Sequence, residues 1–348
     1  MDFKLGDWPS YAEDEWWRQW ATQSSGELSL LARWSDDWEQ WQRLLRERVG
    51  ELLGWEQQDG EVEVQLLGQK DAQTFSLQKI SFAADDGTQI PGYVCVPHDN
   101  EQPLPAVVVS HDVRTSKEAM AGLLDAGNPE AAPGSRLAAA GYVVCCMDRR
   151  GCGERPRRDE AAQMWDWLGR PAVGRDAADL AAACRVLCQR PDVQSERIGI
   201  VGIGKGAAPA LYAAIMETGL QATALCGYLA RYRSLPLVAS EEQRRALCEV
   251  VAGTVPAGLL AYADFEDLAC LIAPRPLCLY QRYEPNLPPE LAAEAARRIA
   301  EGYDLMGEKI RLRIDVAEQI AEHQERRVLD FLDDWLKLPV AEKPSQAN

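Results

Sequence analysis

Residues 196–217, ERIGIVGIGKGAAPALYAAIME, hold the chain's most chemically suggestive pattern. Ile198-Gly199-Ile200-Val201 is a continuous apolar run of the buried-strand type. Gly202-Ile203-Gly204-Lys205-Gly206 follows as a tight turn, and an Ala-rich segment of helical character comes next. Strand, sharp glycine turn and helix are what a G-x-S-x-G sequence uses to raise a nucleophilic serine above a sheet, with the next residue's N–H helping to bind the oxyanion. The chemistry of such a turn is acyl transfer. Here the serine's place is taken by Gly204, so the turn is kept and its reactive atom is lost. Lys205 holds the place whose N–H meets the oxyanion, at a helix start where unpaired N–H groups favour anions. An ammonium added there is expected to strengthen anion binding; the plainer reading is a lysine reaching the surface.

The same glycines fit a second chemistry. Gly202-x-Gly204-x-x-Ala207, after a strand and opening a helix, matches a dinucleotide fingerprint, with Glu217 as a loosely placed acid. That fingerprint belongs to the first βαβ unit of its domain. Here at least two buried strands precede it, and Glu217 falls on the helix rather than after the next strand. A nucleotide-binding module is the weaker reading.

The elements that must position this turn alternate along the chain. Residues 74–83 and 89–97 alternate as strands around the hairpin signal Asp85-Asp86-Gly87. Residues 105–110 (PAVVVS) form the first fully buried strand and end at His111-Asp112. A helical segment over about 116–140 leads to the strand 142–147, which ends at Asp148-Arg149-Arg150-Gly151-Cys152-Gly153. A helix over 176–189 precedes the glycine turn. Strands at 222–227, 276–280 and 309–314 alternate with a polar, helical insertion near 236–262 and helices at 289–306 and 319–338. This is an α/β protein with a mainly parallel sheet of about eight strands, covered by helices on both faces. The main domain spans 59–338, and the tail 339–348 is expected to be disordered.

Residues 1–58 stand apart as a helical leader holding eight of the eleven tryptophans. Trp34, Trp38 and Trp41, with Leu45, Leu52 and Leu53, trace one face of an amphipathic helix, and Trp16 and Trp20 repeat the pattern. An aromatic platform for a sugar is one reading. A cap packing its tryptophans on the main domain or on a second copy of the chain is preferred, since such stripes are usually core.

The net charge of −17 argues against nucleic acid or an anionic membrane as partner, no run is long enough to span a membrane, and the N-terminus does not read as a signal peptide. The ten cysteines fall largely in apolar strands and helix faces, so buried free thiols in a cytoplasmic protein are expected. With three histidines and no CxxC or HExxH, neither a metal site nor a cofactor is expected.

An antiparallel hairpin, a strand ending in His111, a strand ending in D-x-R-G-x-G and then the glycine turn resemble the acetyl xylan esterase and dienelactone hydrolase branch of the α/β-hydrolases. Residues 267–280, DLACLIAPRPLCLY, resemble that branch's D-L-x-x-x-I-A-P-R-P-L segment. The resemblance covers roughly residues 70–338. It implies a Ser-acid-His triad whose members can be placed one by one. Gly204 takes the nucleophile's position. Glu284, in Tyr283-Glu284-Pro285-Asn286-Leu287-Pro288-Pro289, takes the acid's position in a D-x-x-x-P-P context. In Asp315-Val316-Ala317-Glu318, Ala317 is nearest to the histidine's position. His111 matches the start of the family's oxyanion loop. One carboxylate of three members survives, and losing nucleophile and base together costs about six decades of rate in a worked triad enzyme.

Two residues could stand in. His323 lies six residues beyond the expected base, inside a helix, and reads as a solvated histidine. Cys152 sits after Asp148, at the carboxyl ends of the strands, with Arg149, Arg150 and Arg155 as nearby cations to lower its pKa. The leading expectation is a catalytically degenerate member that binds a small anionic or sugar-derived molecule, or serves as a partner subunit. His111, Asp112, Asp148, Arg149, Cys152 and Lys205 are expected to line its cleft, and the Trp-rich helices to offer a homo-oligomer contact. The alternative is an active ester hydrolase, with displaced catalytic residues or with natural ones replaced at Gly204 and Ala317.

Overall fold

Val, Ile, Leu, Ala and Cys dominate the runs that become the sheet, and along β4 (Leu104–Ser110) they divide between its two faces. Ala106 and Val108 join one apolar cluster, while Val107 and Val109 join the other. Burial on both faces is why such a strand is continuously apolar rather than alternating. The computed structural model describes residues 14–58, 60–98, 101–124, 132–155, 159–227, 231–238, 240–282, 289–317 and 321–338.

Among these, nine strands make one sheet. They are β1 (Val64–Asp71), β2 (Phe75–Ala83), β3 (Gln89–Pro97), β4, β5 (Val143–Met147), β6 (Val193–Ile203), β7 (Ala222–Cys226), β8 (Leu277–Arg282) and β9 (Leu312–Ala317). Their spatial order is β1-β2-β3-β5-β4-β6-β7-β8-β9, antiparallel through the β3–β5 pair and parallel from β5 to β9. The helices are α1 (Asp14–Gln23), α2 (Trp38–Leu53), α3 (Lys117–Met120), α4 (Pro133–Ala139), α5 (Asp159–Trp167), α6 (Ala172–Cys188), α7 (Ala207–Met216), α8 (Glu241–Val251), α9 (Leu259–Tyr262), α10 (Phe265–Cys270), α11 (Pro289–Leu305) and α12 (Ala321–Leu332). This is an α/β-hydrolase sheet.

Several boundaries differ from the expected ones. Where a helix was expected over 116–140, the described residues form two short helices, α3 and α4. Asp159–Trp167 forms a helix that its mixed pattern did not announce. Residues 309–311 are a 3-10 turn, so β9 starts later and runs through Ala317. The strand therefore extends through the position expected to lie just beyond it.

The leader docks by the stripe its tryptophans suggest, with Val49 added to it. Asp37 caps α2 by accepting the N–H of Gln40, and Gly54 ends it in the left-handed conformation. Trp41, Leu45, Val49 and Leu53 form its fully buried face, while Trp34 and Trp38 pack partly against the same core. Trp34 belongs to the π-helical turn Leu30–Trp34, not to α2. Trp16 and Trp17 of α1 are 58% and 42% exposed, so that helix buries little of its aromatic face. Polar ties fix the leader's position. The Leu30 N–H donates to Asp267 Oδ1 at 2.9 Å, and Gln42 Nε2 to the Ala273 carbonyl at 2.6 Å. Asp267 also closes the capping box of α10 with Asp264.

Removing residues 1–58 is expected to give aggregated protein, because it uncovers the surface that holds Trp41 and its neighbours. A soluble, cooperatively folded fragment 59–348 would contradict this packing. In the full chain, Trp41→Ala is expected to cost about 3–5 kcal/mol in a denaturant titration.

Candidate functional site

The chain leaves β4 for β5 on one side and later enters β6 on the other. That makes the carboxyl ends of β4 and β6 the sheet's topological switch point, where α/β sheets open a crevice. Ser110 pairs with Gly202 at this edge. The elbow follows at once: β6 passes into a 3-10 turn, Gly204–Gly206, and then into α7.

Each outer glycine admits a close neighbour. A Cβ on Gly202 would lie 2.5 Å from Ala207 Cα, and one on Gly206 would strike the carbonyl oxygens of Ser110 and His111. These two glycines let α7 start tightly against β6 and the end of β4. Strand–helix packing thus accounts for the spacing that matched a dinucleotide fingerprint.

Gly204 has φ +56°, a conformation side chains rarely adopt. What lies above it is the Asp112 carboxylate. A Cβ on Gly204 would stand 2.8 Å from Asp112 Cγ and nearer still to Oδ2. Asp112 Oδ2 accepts the Lys205 N–H at 3.2 Å, and Oδ1 accepts the Arg114 N–H at 3.1 Å. A carboxylate from the β4 loop therefore fills the space of a serine side chain and takes the N–H that would serve an oxyanion.

The expectation of an unpaired N–H and a lysine aimed into the cleft is corrected on both points. Lys205 Nζ donates to the Glu249 carbonyl at 2.7 Å, near the end of α8. A cation at a helix C-terminus satisfies a carbonyl that the helix leaves open.

The residues expected on the rim are mostly buried supports. His111 is fully buried. Its Nδ1 lies 2.7 Å from the Asp112 carbonyl, which can only accept, so Nδ1 carries the proton and Nε2 accepts the Arg149 N–H at 3.4 Å. Burial holds the imidazole pKa below its ordinary value. Asp148, also fully buried, accepts the Lys117 N–H at 3.0 Å, Lys117 Nζ at 2.6 Å and the Glu154 N–H at 2.9 Å. Burial disfavours the Lys117 ammonium, but Asp148, Glu118 and Glu154 outweigh it and raise its pKa.

Arg149 donates through Nε and Nη2 to Asp176, and Arg150 grips Asp179 with both arms at 2.8 Å. Asp179 also accepts Arg155 Nη1 at 2.6 Å. The D-x-R-G-x-G loop is thereby clamped to α6 by ion pairs, where Arg149 was expected to line a cleft. Cys152 is buried, with Sγ 3.6 Å from the Val113 carbonyl. Burial raises its thiol pKa despite Arg149, so the stand-in nucleophile is held as the unreactive thiol.

Of the remaining positions, Ala317 is the last residue of β9, paired in register with Arg282. His323 lies in the first turn of α12. Glu284 is outside the described residues. Sequence reasoning missed Lys117, Asp176 and Asp179. Asp176 and Asp179, two acids inside a largely apolar helix, were the available signal, since buried acids need cationic partners.

The fold and the elbow define an α/β-hydrolase. The model of the Abhydrolase family matches residues 31–287, and the chain belongs to that family. A structure from Bacteroides fragilis NCTC 9343, described as an acetyl xylan esterase, superposes with a TM-score of 0.74 at 14% identity, over 91% of this chain and 85% of that one. The acetyl xylan esterase from Paenibacillus sp. R4 gives 0.58 at 20% identity, over 84% and 94%. The glucuronoyl esterase from Solibacter usitatus gives 0.64 at 14% identity, over 84% and 91%. At these identities the likeness is one of fold. YtaP of Bacillus subtilis (strain 168), which carries the name of a hydrolase, is 28% identical over 139 residues; the match spans 44% of that protein and 36% of this chain.

Lys117→Met should destabilise the protein by about 3–5 kcal/mol in urea unfolding, since it strands the buried Asp148 carboxylate. A loss below about 1 kcal/mol would mean that the cluster contributes no more than surface ion pairs do. A second expectation concerns pH. The unfolded chain binds a proton at His111 as pH falls through 6.5, whereas the fold keeps the ring neutral. The stability this confers is complete above that value and is lost as pH drops below it. Wild type should therefore lose more stability than His111→Gln between about pH 7.5 and about 5.5; parallel losses would contradict the neutral assignment.

Proposed function

We propose that this chain is a non-hydrolytic member of its family that serves as a binding or partner subunit. The observation that carries the reading is the Asp112 carboxylate lying over Gly204 with the Lys205 N–H in its hydrogen bond. Acyl transfer needs a nucleophile, a base within reach of it and free donors for the oxyanion. Gly204 supplies no nucleophile, and the donor at Lys205 is taken. The burial of Cys152 speaks against a displaced thiol nucleophile.

A negatively charged ligand would meet like charge at Asp112, so a neutral, hydroxyl-bearing molecule suits the elbow better than an anion. A sugar-derived ligand is the class that fits, and the names of the structurally similar acetyl xylan and glucuronoyl esterases point the same way. The exposed Trp16 and Trp17 support a role for the leader in contacts with a second copy. Ten free cysteines, eight of them buried, support a reducing cytoplasmic setting.

The test is hydrolysis of p-nitrophenyl acetate and related short acyl esters by the full chain. The rate should match that of buffer, and Cys152→Ala and His323→Ala should leave it unchanged. Saturable turnover that disappears with either substitution would overturn the proposal in favour of a displaced active site.

A further inference from the structure

We infer that Asp112 is an intramolecular ligand of the elbow, occupying the places of both the nucleophile's side chain and the oxyanion, and that it thereby closes the turn to acyl transfer. This rests on the non-hydrolytic reading and adds what enforces it. The alternative role for such a carboxylate is a substitute nucleophile. The hydrogen bonding argues against that role. A nucleophile must leave the oxyanion donor free for the tetrahedral intermediate, whereas Asp112 Oδ2 itself accepts the Lys205 N–H at 3.2 Å.

The carboxylate is held from the other side too. Oδ1 accepts the Arg114 N–H at 3.1 Å, and the Asp112 carbonyl accepts from His111 Nδ1 at 2.7 Å and from Thr115 Oγ1 at 3.0 Å. Backbone and side chain of this one residue are thus both fixed, with the carboxylate turned onto the elbow. Its position depends on the glycine. Any side chain at 204 would begin with a Cβ inside contact distance of Oδ2 and 2.8 Å from Cγ. Gly204 and Asp112 therefore form a matched pair, and serine alone at position 204 would not restore a free oxyanion donor.

The test is a double-substitution cycle read by thermal unfolding, with amide exchange as a second readout. Gly204→Ala should lower Tm strongly in wild type, through both the clash and the positive φ. In an Asp112→Ala background the φ strain and a tight 3.1 Å approach to the Cβ of residue 112 remain, but the clash with the carboxylate is gone, so the loss should shrink by several degrees. Should Gly204→Ala alone fail to fold, recovery of folded protein in the double variant supports the pairing, and failure of both overturns it. Equal losses in the two backgrounds also overturn it. Independently, Asp112→Ala should speed hydrogen exchange at the Lys205 amide relative to neighbouring amides, and unchanged exchange would remove Asp112 as its partner. Neither readout depends on ester hydrolysis, so turnover in the activity assay would reject the proposed function while leaving this pairing to be judged by itself.

Discussion

The approach of the Asp112 carboxylate to the bare Cα of Gly204 is the constraint around which this end of the molecule is arranged. It joins the two loops at the sheet's switch point, where relatives of this fold would open a crevice. Both carboxylate oxygens have N–H partners, from Lys205 and Arg114. Hydrogen bonds to a charged group are worth about 1.5–3 kcal/mol each, enough to hold a partly exposed side chain in one place. The loop carrying Asp112 is in turn held by what lies beneath it. His111 bridges to the Arg149 N–H, while Lys117 and Asp148 pin the start of α3 to the end of β5. Arg149, Arg150 and Arg155 then tie the β5 loop to α6. Charge that would face a substrate if it were exposed is spent inside the protein on shape.

The leader obeys a second constraint, that of apolar area. Burying Trp41 removes about 150–250 Å² from water, roughly 4–6 kcal/mol at 25 cal/mol per Å². Its indole N–H still reaches the Leu28 carbonyl at 2.7 Å, so the burial leaves no donor unpaired. Asp267 gives the docking its register, since one carboxylate both caps α10 and accepts the Leu30 N–H. The first residue of the segment that resembles the esterase branch thus has a structural task in this chain. The leader also reaches into the family match, which begins at residue 31 and so takes in α2.

Local pattern was enough for the sheet and for the elbow. Runs such as Val107–Val109 and Val143–Met147 can be little other than doubly buried strands, and the glycines at 202, 204 and 206 mark a turn that only small residues allow. Pattern was not enough where two distant loops meet. Asp112 and Lys205 are 93 residues apart, and nothing local says which way either side chain turns. Lys205 reads as a cleft residue by position, but its ammonium finds the open carbonyl of Glu249 in the insertion. Cys152 and Asp148 read as exposed because loops usually are, yet Lys117, which no motif flags, supplies the counter-charge that lets Asp148 be buried. Around α2 the tryptophans mark the packed stripe, but not that Trp34 reaches the same core from the π-helical turn Leu30–Trp34 rather than from the helix.

A crystal structure of the full chain, with the density at Asp112 and Gly204 resolved atom by atom, tests the central claim most directly. The account requires the Asp112 carboxylate over Gly204, with Oδ2 in hydrogen-bond reach of the Lys205 N–H. An Asp112 side chain turned into solvent, with water or a bound anion on that N–H, would contradict it.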